Sequence, residues 1–79
     1  MEIIKFKTNV ESQEALAKVV PYLEKVEQIS KWNLDTTSTD NVLSVSGTNL
    51  NPQKVEDALG KAGYQAEILR VIGINGGDL

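Results

Sequence analysis

The spacing of apolar residues changes repeatedly along this chain, from two to about 3.6 and back, and each change marks the edge of an element. Residues 2–8 alternate, with Ile4 and Phe6 on one side and Lys5 and Lys7 on the other, which predicts a strand with one wet face. From Ser12 the period becomes helical. Leu16, Val19, Val20, Leu23 and Val26 recur at three- and four-residue spacing, while Glu14, Lys18, Glu24 and Lys25 lie off that stripe. Pro21 falls inside the stretch and cannot donate to the carbonyl of Ala17, so a kink is expected there, at a local cost of about 3 kcal/mol.

Ile29, Trp32 and Leu34 form the next apolar series, with Trp32 expected in the core, and Leu43, Val45 and Gly47 form another. The turn formers of residues 36–41 separate them, which predicts a hairpin. The second helix carries the clearest local signals: Asn51 as N-cap, Pro52 at the first helical position, Leu50 and Val55 spaced as a hydrophobic staple, and Gly63 as a left-handed stop. Val55, Leu59 and Ala62 are its expected buried face. Residues 64–72 return as a strand containing Ala66, Ile68 and Leu69, and residues 73–79, rich in glycine and without period, read as a flexible tail after a single domain over residues 1–72.

The order βαββαβ requires both helices to cover one face of a four-stranded antiparallel sheet, an α+β arrangement of the ferredoxin-like kind. At 79 residues, with no cysteine and no histidine, neither disulfides nor thiolate or imidazole ligands supply stability, and apolar packing has to. A hydrophobic fraction of 41% permits that. A net charge of −3 with one arginine, Arg70, argues against a nucleic-acid surface. No apolar run approaches membrane-spanning length and no leader pattern precedes the first strand, so a cytoplasmic chain without a membrane partner is expected.

Strand, loop, helix of about four turns, hairpin, helix and a last strand introduced by Lys61-Ala62-Gly63-Tyr64 resembles the heavy-metal-associated domain of copper chaperones and metal-transporting ATPases, over roughly residues 2–70. Leu23, Val26 and Ile29 are similar to that family's apolar residues at the end of its first helix, Trp32, Leu34 and Asp35 to its second strand, and Lys61, Gly63 and Tyr64 to the bacterial chaperones' lysine-x-glycine-tyrosine. The family's metal loop is methionine-x-cysteine-x-x-cysteine, with the methionine anchored in the core and two thiolates holding a soft ion. Counted back from Leu23, those positions fall on Val10, Ser12 and Ala15. A hydroxyl and a methyl group offer no soft donor, so no Cu(I) or Zn(II) site and no cofactor are expected.

Local chemistry gives Ser12 a different role, as an N-cap whose hydroxyl accepts from the amide of Ala15, with Glu14 favourable at the positive helix end. Lys61 reads as a solvated residue of a last helical turn and Tyr64 as an aromatic packed across the start of a strand. The resemblance implies that the loop end is where two domains of the family meet. A partner surface of Asn9, Glu11, Ser12, Lys61 and Tyr64 follows, with Val10 in the same patch, facing another domain of this kind or a second copy. The expected function is therefore a non-catalytic interaction or regulatory module. Two alternatives are a small-ligand sensor, since other βαββαβ domains bind ligands between subunits, and weak binding of a hard cation by oxygens of Asn9, Glu11, Ser12 and Glu14. An enzyme is not expected: the loop after the first strand has neither the arginine nor the glycine of the acylphosphatases, and the carboxylates are dispersed.

Overall fold

The computed structural model describes residues 1–37 and 39–73. Its elements run β1 (Glu2–Thr8), α1 (Gln13–Leu23), β2 (Ile29–Asp35), β3 (Val42–Gly47), α2 (Pro52–Lys61) and β4 (Ala66–Gly73). The strands form one antiparallel sheet in the order β2-β3-β1-β4, so the two βαβ crossovers interleave and the sandwich is ferredoxin-like as expected. The interior strands β1 and β3 carry the strictest alternation. Ile4, Phe6 and Thr8 pack inward opposite Val45 and Leu43 of β3, while Lys5 and Lys7 stay in water. Leu16, Val19 and Leu23 from α1, with Val55, Ala58 and Leu59 from α2, close the core over that face. Ala58 completes a stripe that Ala62, half-buried in the C-cap, only borders.

Both helices begin as their sequences dictate. The Ser12 hydroxyl accepts from the amide of Ala15 at 3.0 Å, and Asn51 Oδ1 accepts from the amide of Gln53 at 3.0 Å, each satisfying a donor that has no intrahelical partner. Leu50 and Val55 are both buried, as a staple requires, and Gly63 has φ +91° where the chain leaves α2.

Several expectations are corrected. Helix α1 ends at Leu23, a turn short of Val26, which is half-buried in the following turn where its amide donates to the carbonyl of Leu23. Pro21 does not interrupt the helix. It lies in the last turn, and both it and Ala17 are exposed, so the carbonyl that loses its bond sits on the solvent side. Trp32 is on the core face opposite Val45 but only half-buried, because β2 is an outer strand and nothing lies beyond it among the described residues. Tyr64 and Gln65 precede β4 rather than opening it, and Leu69 is an inserted residue: Phe6 pairs with Ile68 and Lys5 with Arg70. Gly73 closes β4 opposite Glu2; the rest of the expected tail lies outside the described residues.

Candidate functional site

The loop between β1 and α1 lies at the end of the sheet where β1 finishes, and it is held at several points. Val10 is fully buried in the core cluster. It therefore anchors the loop, and its own side chain is no part of any docking surface. The anchoring depends on a residue that the sequence reading passed over. Thr8, the buried polar residue among those described, donates from Oγ1 to the carbonyl of Asn41 at 2.7 Å and accepts from the amide of Val10 at 3.1 Å. Its own amide donates to the carbonyl of Asp40 at 3.1 Å. One threonine thus stitches the loop to the β2–β3 turn, where Asn41 takes the left-handed conformation (φ +46°) that a short amide side chain tolerates. The signal was present: continuing the alternation of Ile4 and Phe6 by one step puts residue 8 inside.

The rest of the loop is held at its rim. Asn9 Oδ1 accepts from the amide of Gln65 at 2.8 Å, clasping the loop to the segment that enters β4. Gln13 Nε2 donates to the carbonyl of Leu34 at 3.3 Å and joins the start of α1 to β2. Glu11 and Ser12 are exposed between these ties, and Ala15 is half-buried against the core. Asp35 ends β2 on the same side, and its carboxylate accepts from the hydroxyl and the amide of Thr37, bonds that hold its pKa below the ordinary 3.8, with Lys5 helping.

Of the expected partner surface, the structure places Asn9 and Tyr64 on one groove and Lys61 on another. Asn9 and Tyr64 line theirs with Glu56 and Asp57 of α2, while Glu11 and Ser12 are exposed in the loop outside its lining. Lys61 instead lines the cleft between α1 and α2, with Tyr22 and Lys25, because its position on the helix faces α1 rather than β4. The lysine-x-glycine-tyrosine run is thus divided between two surfaces.

The donor set at the loop does not fit a soft metal ion. The Ser12 oxygen is engaged in capping α1 and Ala15 contributes a methyl group. Of the oxygens expected to serve a hard cation, those of Asn9 and Ser12 each accept from a backbone amide. Among the described residues no group of three or more histidine, cysteine, aspartate or glutamate side chains is placed to hold a metal, and no helix is long and apolar enough to cross a membrane.

No family sequence model matches the chain, and no curated protein matches it in sequence. Solved structures match its shape. The N-terminal domain of ZntA in its Zn(II) form superposes with a TM-score of 0.75 at 19% identity, covering 91% of this chain and 97% of that one. Oxidized MerP from Ralstonia metallidurans CH34 gives 0.73 at 18% identity, over 89% and 100% of the two chains. The copper(I)-loaded first domain of the human copper chaperone for SOD1 gives 0.69 at 22% identity, over 90% and 94%. The fold is that of heavy-metal-associated domains, assembled here by a chain that contains no cysteine.

Proposed function

We propose that this protein is a non-catalytic, metal-independent interaction or regulatory module that docks through its loop end onto a second domain of the same fold or onto another copy of itself. The observation that carries the reading is the pairing of a retained frame with a replaced chemistry. Val10 is anchored in the core, Thr8 and Asn9 clamp the loop, and Ser12 caps α1, while Ser12 and Ala15, which we align with the family's two thiolates, carry a hydroxyl and a methyl group. A loop fixed at this many points presents Asn9, Glu11, Ser12 and Tyr64 as a preorganised surface, so that docking requires little further ordering. ZntA, MerP and the copper chaperone domain share the overall fold.

Amide NMR tests both halves of the proposal. With Cu(I) or Zn(II), no saturable shifts are expected at residues 9–15 or Tyr64; stoichiometric shifts there would end the metal-independent reading. With an unlabelled copper-chaperone domain as the probe, shifts are expected at Asn9, Glu11, Ser12 and Tyr64, and shifts confined to other faces, or none, would remove the loop end as the docking site. The register is tested separately. Residues 12 and 15 lie three apart at a helix start, so Ser12→Cys with Ala15→Cys should create a Cu(I) site, its thiolates favoured by the positive helix end. If competition against a chromophoric chelator finds the double variant no tighter than either single one, Ser12 and Ala15 do not occupy the thiolate positions.

A further inference from the structure

The outer edge of β4 lies away from the loop end, and what it offers is independent of how that loop is used. Among the described residues the large hydrophobic side chains left in water are Met1, Ile68, Leu69 and Val71, at 60%, 40%, 48% and 54% exposure. Three of the four belong to β4. Ile68 and Val71 lie on the helix-covered side of the sheet, since they pair with the buried Phe6 and Ile4, yet α2 leaves them open. The opposite outer strand, β2, is treated differently: Ser30, Lys31, Asn33 and Asp35 make its exposed residues polar. Charged and polar side chains on an edge discourage pairing with another chain, whereas an apolar edge invites it. Two charges interrupt β4, Glu67 and Arg70. Among the described residues neither side chain makes a hydrogen bond or an ion pair, and Arg70 sits directly opposite Lys5, a like charge.

We infer that β4 pairs edge to edge with β4 of a second copy, antiparallel about a two-fold axis, extending the two sheets into one. The register follows from which face each residue occupies. Pairing with β1 puts Ala66, Ile68 and Val71 on the helix side and Glu67, Arg70 and Ile72 on the open side. Directly opposed residues of an antiparallel pair share a face, so only registers that match these sides are admissible. The inserted Leu69 shifts the alternation by one step, and two registers centred on it satisfy the condition. One opposes Glu67 to Ile72 and leaves Arg70 beside Leu69. The other sets Glu67 opposite Arg70 of the second copy, twice by symmetry, with Ala66 opposite Val71 and Ile68 opposite Leu69. Charge complementarity selects the second, because of the two it alone sets Glu67 and Arg70 opposite one another. A surface that complements itself in this way fits a second copy better than an unrelated strand.

Sedimentation equilibrium on the full chain tests this with charge variants at exposed positions, each checked by far-UV circular dichroism for an unchanged fold. The wild type is expected to self-associate, with a dissociation constant below about 1 mM. Glu67→Arg or Arg70→Glu alone should weaken association about tenfold or more, since each places like charges opposite one another on both sides of the axis. Mixing the two single variants should restore association as a heterodimer, as should the Glu67→Arg/Arg70→Glu double variant as a homodimer. Leu69→Lys should abolish it. A wild type that stays monomeric throughout, or folded single variants that associate as well as the wild type or fail to recover when mixed, would overturn the pairing. So would loss of association on deleting residues 74–79 alone, which would assign the contact to that segment.

Discussion

At one end of the sheet, where β3 finishes and β2 begins, backbone meets backbone at contact distance; at the other, the loop end, side chains reach across to hold the chain in place. A Cβ built on Gly47 would lie 1.8 Å from the carbonyl oxygen of Gln28 and 2.9 Å from a methyl of Leu50. The same carbonyl accepts from the amide of Thr48 at 3.2 Å, and Glu2 Oε1 accepts from the amide of Leu50 at 2.7 Å. Nothing there has room to change. The loop end is instead tied by Thr8, Asn9, Ser12 and Asp35, all but the first exposed to solvent. For a domain that docks by its loop, as proposed above, this division leaves the partner-facing side chains in water while close packing at the other end holds the fold.

The largest effect should therefore come from the packed end. Gly47→Ala forces a methyl group into the Gln28 backbone, which cannot yield as a flexible side chain would, so a loss of about 3 kcal/mol or more is expected in urea denaturation. A loss under about 1 kcal/mol would mean that the segment through Gln28 moves freely, and the contrast between the two ends would fail.

Thr8 is where the comparison is sharpest, because it belongs to the loop end yet is buried. Thr8→Val keeps the shape but leaves the amide of Val10 and the carbonyl of Asn41 without their partner, for an expected loss of about 2 kcal/mol. The amides of residues 9–12 and 40–41 should lose hydrogen-exchange protection ahead of the rest. Uniform loss across the domain would show that Thr8 supports the whole core and not the loop in particular.

These residues also show what could be read before the fold was seen. The helix caps, the staple, Gly63 and the inward faces of β1 and β3 were legible because each rests on contacts within a few residues of sequence or on strict alternation. The end of α1 was not, since Val26 keeps the helical spacing after the helix has stopped at Leu23. Trp32 and Leu69 were misjudged for a shared reason: local pattern does not say which strands lie at the edge, nor that an inserted residue interrupts β4. At the candidate site, the cap formed by Ser12 followed from sequence, whereas the bond from Gln65 to Asn9 joins residues 56 apart. No local signal announces such a contact, and the lysine-x-glycine-tyrosine resemblance that groups Lys61 with Tyr64 does not show that α2 turns Lys61 toward the other cleft.

At the solvent-exposed rim the effects should be smaller. Ser12→Ala removes one cap and leaves one amide to water, so about 1 kcal/mol of stability is expected to go, with fraying limited to the first turn of α1. The loop should keep its place, because Val10 and Asn9 hold it independently. Displaced amide resonances at Asn9 and Gln65 in this variant would show instead that the cap positions the loop, joining two ties that the structure keeps apart.

The smallest expected effect is that of Asp35. Its pKa is lowered chiefly by the Thr37 hydroxyl, then by the Thr37 amide, with Lys5 adding a weaker attraction. The folded state therefore binds this proton less readily than the unfolded chain does, where the ordinary 3.8 applies. The stabilisation is fully present above that pH and disappears as the pH falls through the lower folded value. Because the carboxylate is fully exposed, water and salt screen the interaction and the gain is slight. Thr37→Val deletes the largest cause while keeping the amide bond, so its stability should fall marginally below wild type at neutral pH, and the two curves should meet under acid conditions. Curves that diverge as the pH drops would reverse the sign of the linkage. A gap at neutral pH as large as that expected for Thr8→Val would show that an exposed tie at the loop end can matter as much as a buried one.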